Sequence, residues 1–261
     1  MLQNLPQVTK NILLLNIMFF LVTLILEMQG INLIPKLGAH YVNSPLFEPF
    51  QVVTYFFMHG GFLHIFFNMW IFIMLGGYLE RIWGAQRFFI FYVACAIGGF
   101  ALYNILGVYE INQLKNFLAS RVPLDSFNTY IQNLDSITNQ SIQQAILDFA
   151  VEFNVQPEEE TFHALYDYTA KSVTPMVGAS GAIFGVMAAF AILFPNTEFM
   201  LYFAIPVKAK YLVGGYILLE IYLSFQDNPA DNTAHLAHVG GAVVGAIIVL
   251  FWRKKDRNNF W

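Results

Sequence analysis

Ser180 stands in the run Gly178-Ala179-Ser180-Gly181-Ala182-Ile183-Phe184-Gly185, one hydroxyl among small and apolar residues. A serine hydroxyl is a weak nucleophile until a base accepts its proton. Small neighbours let a substrate or a second backbone approach closely, and Gly181 with Gly185 forms a small-xxx-small face suited to tight helix contact. The run therefore has two readings, a nucleophile in an accessible setting or a packing face in which Ser180 only tunes the fit. A partner for the first reading lies in Ala234-His235-Leu236-Ala237-His238-Val239-Gly240-Gly241, with Gly245 four residues on. At 100° per residue His238, Gly241, Ala242 and Gly245 share one helix face, so the imidazole sits beside a close-packing stripe. Its alternative is a hydrogen-bonded structural histidine.

A third polar cluster is His59-Gly60-Gly61-Phe62-Leu63-His64-Ile65-Phe66-Phe67-Asn68. His64 and Asn68 are four apart and stack on one helix face, where both can donate hydrogen bonds to a developing oxyanion or act as polar glue between helices.

The elements that must position these groups are membrane helices. Of the 261 residues 57% are hydrophobic and 11% charged, which moves the chain away from soluble proteins. A hydrocarbon core about 30 Å thick needs roughly 20 apolar residues per helix. Runs of that kind recur at residues 11 to 29, 62 to 79, 87 to 108, 178 to 194, 210 to 226 and 234 to 252. The expectation is an all-α polytopic membrane protein, a bundle of six transmembrane helices. The first run lacks the basic flank and cleavage site of a signal peptide and reads as a true span.

Lys10, Arg81, Arg87, Lys208, Lys210, Arg253, Lys254, Lys255 and Arg257 fall on one side of such a bundle. Lys36, Lys115, Arg121 and Lys171 fall opposite, over longer loops. The bias makes both termini cytoplasmic, and the cell (inner) membrane is the expected location. A net charge of −4 gives no reason to expect nucleic acid, and nothing fixes an oligomeric state. Spans four and six run in the same direction, which puts Ser180 and His238 at similar depth near the outer surface. His64 and Asn68 begin the second span at the same end. An imidazole buried in a membrane helix is costly, and function is its default reading.

Two outer segments interrupt the apolar pattern. Residues 30 to 61 are poor in charge and carry Tyr41, Phe47, Phe50, Tyr55, Phe56 and Phe57, which suits a loop lying partly in the membrane interface. Residues 109 to 174 carry nine acids against three bases. There Ile142, Ile146, Phe149 and Phe153 recur on one helix face, and Pro157 before Glu158, Glu159 and Glu160 resembles a helix first turn. The expected organisation is one domain in three parts: residues 1–108 with the first three spans, a small helical extramembrane insert at 109–174, and 175–261 with the last three spans and the tail.

These pieces together resemble the rhomboid family of intramembrane serine proteases. The resemblance rests on His59 to Asn68, on Gly76-Gly77 with Glu80, on Gly178 to Gly181, on the Ala237-His238-Val239-Gly240-Gly241 stretch with Gly245, and on the six-span order. It covers nearly all of the chain outside residues 109 to 174. It implies a serine endopeptidase that cleaves transmembrane segments of membrane proteins within the lipid bilayer through a Ser180–His238 dyad, with no cofactor and no metal. It further implies an oxyanion hole of His64, Asn68 and the Ser180 amide, with Phe184 stacked on the catalytic histidine and Gly178, Gly181, Gly241 and Gly245 supporting the site. The chain departs from the family in lacking the Trp-Arg pair that some members carry in the first outer loop, and in its long insert.

Two other functions are weighed. A catalytically inactive relative that binds membrane helices need not keep both serine and histidine, and this chain has both. His235 and His238, with His59 and His64, also prompt a metal-dependent protease or metal transporter. There is no HExxH motif, and no acid lies among these histidines in sequence. Glu220, within the fifth span, reads as a structural acid or a gate contact, and Glu80 as a surface acid reaching water or Arg81. A helix start capped by Asp231, Asn232 and Thr233 after Pro229 sets His235 in the first turn and His238 about 4.5 Å deeper.

Overall fold

The structure, a computed structural model, describes residues 4–133, 139–201, 205–226 and 233–255. In chain order the helices are α1 Gln7–Glu27, α2 Ile34–Leu37, α3 Gln51–Thr54, α4 Phe62–Trp83, α5 Ala85–Leu118, α6 Leu124–Gln132, α7 Asn139–Glu152, α8 Glu159–Val173, α9 Ser180–Leu193, α10 Ala209–Leu223 and α11 His235–Lys255. One wider turn, Phe72–Gly76, lies within α4. Between α9 and α10 the strands β1 Glu198–Leu201 and β2 Ile205–Lys208 pair antiparallel, Glu198 opposite Lys208. The all-α expectation missed this ribbon, whose four-residue strands are too short to show a two-residue alternation.

Among the described residues four helices, α1, α4, α5 and α11, are long and apolar enough to cross a membrane. The expected fourth and fifth spans are shorter, α9 with 14 residues and α10 with 15. The apolar run at 178 to 194 is longer than its helix because Gly178 and Ala179 precede the first turn and Phe194 leaves helical geometry. The third span is the reverse case. α5 continues to Leu118, 34 residues or about 51 Å, well past the expected end at 108.

The reason for that extension is a second apolar cluster. Ile111 and Leu118 of α5 pack with Val122 of the following turn and with Phe127, Ile131, Ile142, Ile146, Phe149, Leu165 and Tyr168 from α6, α7 and α8. Phe153, expected on the same face, lies beyond the end of α7 and is exposed, its ring stacked on Phe149. Pro157 precedes Glu158, which occupies the N-cap of α8, so Glu159 and Glu160 form the acidic first turn.

α9 is apolar all round and is buried all round, from Gly181 to Ala191, by α4, α5, α10 and α11. α1 is also largely apolar but buries only Thr9, Ile12, Leu13, Asn16 and Thr23. Its Leu14, Met18, Leu21 and Ile25 face outward, a surface that suits lipid. Glu80 corrects the sequence reading. It is 4% exposed and accepts hydrogen bonds from the Val8 and Thr9 amides at 2.8 and 2.7 Å and from Thr9 Oγ1 at 2.7 Å. It caps α1, where unpaired amides and the helix dipole favour a carboxylate. Arg81 instead donates to the Asn4 carbonyl.

The outer loop is anchored without the Trp-Arg pair. Buried Gln51 accepts from the His40 and Glu48 amides and donates to the Lys36 and Leu46 carbonyls. His40, fully buried, sets its two ring nitrogens 2.8 and 2.9 Å from the Pro35 and Ser172 carbonyls, and as a neutral ring donates to one of them at a time. Burial keeps its imidazole below the ordinary histidine value despite those two carbonyls. Ala39 and Met176 exchange backbone hydrogen bonds at 2.9 and 2.8 Å, and the Gly178 amide donates to the Tyr55 carbonyl. Tyr55 in turn bonds the Ala96 carbonyl of α5 through its hydroxyl. The segment entering α9 is thus tied to both the loop and the bundle.

Candidate active site

Ser180 is the first residue of α9, where backbone amides have no intrahelical acceptor and the helix dipole favours negative charge. His238 lies one turn into α11, which begins at His235. Pro229, Asp231 and Asn232, expected to cap this helix, lie outside the described residues, as does Arg257.

Glycines bring the two helices together. A Cβ on Gly241 would collide with the Gly181 carbonyl oxygen, and one on Gly245 would stand 2.7 Å from Gly185 Cα. Real Cβ atoms essentially never come so close, so these backbones approach only because both positions lack side chains. The approach leaves His238 Nε2 2.7 Å from Ser180 Oγ. The ring of Phe184, one turn after Ser180, lies flat on His238, with centroids 4.3 Å apart and planes 8° apart.

His64 and Asn68 of α4 line the same cavity, about 1080 Å³, as Ser180, Phe184 and His238. Gly178 sits between them and Ser180. Its φ of +116° is a conformation L side chains rarely adopt, and a Cβ there would meet His64 Nε2 at 2.7 Å and Asn68 Nδ2 at 3.6 Å. Asn68 is 7% exposed, and its Nδ2 has no hydrogen-bond partner among the described residues. A buried donor without an acceptor is costly, which makes it notable beside a serine. His59 packs edge-on against His64, ring centroids 5.0 Å apart. Burial, then the neighbouring His64, push the His59 imidazole down to about 3.

The Rhomboid domain family model matches residues 47–111 and 157–255. The chain belongs to the rhomboid family. The two matched stretches leave out residues 112–156, a shorter gap than the insert expected at 109–174. An uncharacterized rhomboid protein of Schizosaccharomyces pombe, described as mitochondrial, is 36% identical over 89 residues, 32% of this chain. The match spans 23% of that relative's length. As a rhomboid with several apolar helices of spanning length, the chain is a multi-pass membrane protein.

Sequence reasoning missed what stands behind His238. Glu220 of α10 is 3% exposed, and its Oε2 lies 2.8 Å from His238 Nδ1 and 2.6 Å from His235 Nδ1. The available signal was an acid alone in an apolar helix, but its partners lie 15 and 18 residues away, across a turn of the chain. His235, three residues before His238, faces this carboxylate.

Proposed function

We propose that this rhomboid is an intramembrane serine endopeptidase that cleaves transmembrane segments of other membrane proteins. The observation that carries the reading is the 2.7 Å contact between His238 Nε2 and Ser180 Oγ at the wall of a cavity. In this reading His238 takes the Ser180 proton as Oγ attacks the scissile carbonyl, then delivers it to the leaving amine. Water hydrolyses the acyl-enzyme with His238 again as base. The Ser180 amide, Asn68 Nδ2 and His64 stabilise the oxyanion, and Phe184 holds the imidazole plane. Gly178, Gly181, Gly241 and Gly245 serve this geometry by allowing close approach.

We read α9 and α10 as the fourth and fifth of six crossings, with both termini cytoplasmic and residues 109–174 as one extramembrane insert within a single domain. Family membership supports this arrangement, as do the apolar faces of both helices.

Glu220, His235 and His238 also gather three ligand-type atoms within 4.8 Å. Two of the pairs lie at 2.6 and 2.8 Å, hydrogen-bonding separations, whereas zinc ligands about 2.0–2.2 Å from a tetrahedral ion stand well over 3 Å apart. The geometry favours hydrogen bonds over metal ligation. A serine-directed fluorophosphonate tests the proposal. The wild type in proteoliposomes should be labelled at Ser180 and Ser180→Ala should not, whereas equal labelling of both would remove Ser180 from the chemistry.

A further inference from the structure

Glu220 is costly where it stands. A carboxylate inside an apolar helix forfeits hydration worth several kcal/mol unless partners replace it. The rest of α10 gives little packing reason for an acid, since its other buried residues are Ala209 and Val213. One oxygen of the carboxylate, Oε2, meets two imidazoles on α11. When Glu220 is ionised it only accepts hydrogen bonds, and each ring then carries its proton on Nδ1. For His238 this has a chemical consequence. With Nδ1 protonated, Nε2 keeps its lone pair, and Nε2 is the atom 2.7 Å from Ser180 Oγ. The opposite tautomer would aim an N–H at the hydroxyl and could not take its proton.

We propose that Glu220 is a positioning residue for peptide-bond cleavage. It holds His238 in the tautomer that can deprotonate Ser180, and it neutralises the imidazolium once the proton has moved from Oγ to Nε2. Ser180, His238 and Glu220 then act as a chain in which one proton travels, from Oγ to Nε2 and on to the leaving amine, while the Nδ1 proton stays in place. His235 donates to the same Oε2 from the first turn of α11 and so fixes the direction of the carboxylate without touching Ser180. The proposal rests on the Ser180–His238 reading.

The test uses the full chain in proteoliposomes with Glu220→Gln and Glu220→Asp. Four quantities are read: kcat and KM on a single-span substrate, the rate constant for fluorophosphonate labelling of Ser180, and the thermal unfolding midpoint. Glu220→Gln keeps the size and hydrogen-bonding capacity of the side chain but loses its charge. It should lower kcat and the labelling rate together by about 10 to 1,000 fold while KM stays within about threefold. Glu220→Asp restores the charge and should recover at least a few-fold of that loss. Wild-type kcat and labelling in the Gln variant would overturn the proposal, as would a loss confined to KM or to the unfolding midpoint. If Glu220→Gln does not fold, Glu220→Leu takes its place as the variant without the charge: a lowered kcat at unchanged KM supports the proposal, and an unchanged kcat overturns it. Absence of Ser180 labelling in the wild type would instead overturn the underlying peptidase reading, so the two failures are distinct.

Discussion

The ring of Phe184 lies parallel to that of His238, with centroids 4.3 Å apart, so this imidazole is held on one face by an aromatic plane and at one edge by a carboxylate. Stacked aromatic pairs contribute about 0.5–1.5 kcal/mol beyond their buried area. If that energy holds the imidazole in its reactive plane, Phe184→Leu should lower kcat by roughly 2 to 12 fold. Phe184→Tyr should stay near wild type. Steady-state cleavage of a single-span substrate checks both, and a Leu variant as fast as wild type would make the stack incidental.

Gly178 offers a test of geometry without touching a polar group. Alanine there must adopt a φ of +116° and place its Cβ 2.7 Å from His64 Nε2. A non-glycine residue at such a φ costs on the order of 1–3 kcal/mol before the clash is counted. Gly178→Ala should therefore lower the unfolding midpoint by several degrees and lose most of its activity. Wild-type turnover in this variant would show that the position of His64 relative to Ser180 is not critical.

The buried Asn68 Nδ2 and the His64 ring carry the oxyanion assignment. Alanine at either position should reduce kcat by roughly 10 to 1,000 fold with little change in KM, as for groups that act mainly on transition-state charge. An equal rise in KM would make them structural.

These residues were legible in the sequence because each sits in a local signal: a serine among small residues, a histidine beside a glycine stripe, a histidine and an asparagine four apart. Glu220 and Glu80 were visible as acids but not by role, since their partners come from other helices and only packing brings them together. The length of α5 was hidden for a related reason. The span prediction stopped where polar residues begin, whereas Ile111 and Leu118 continue the helix because they pack in a second cluster. The four-residue strands of the ribbon were too brief to leave a pattern.

Acid should destabilise the fold through His59. Its folded imidazole titrates near 3, while an unfolded histidine titrates near 6.5. Between those values the unfolded chain binds a proton that the folded chain does not, so stability falls as pH drops below about 6.5 and stops falling below about 3. At pH 5 the loss from this group is on the order of 2 kcal/mol. Buried His40, also lowered, adds in the same direction. Unfolding midpoints recorded at pH 7.5, 6 and 5 should decline, and more shallowly in His59→Gln. Parallel slopes for the two proteins would exclude His59 as the source.

Ser180 is the proposed nucleophile, and the most direct measurement is cleavage of a single-span substrate by purified protein in proteoliposomes. Ser180→Ala and wild type are compared at matched folding. Removal of one hydroxyl from a small-residue site should leave the helices packed and abolish cleavage to trace level. Cleavage by Ser180→Ala at a rate comparable to wild type would contradict it.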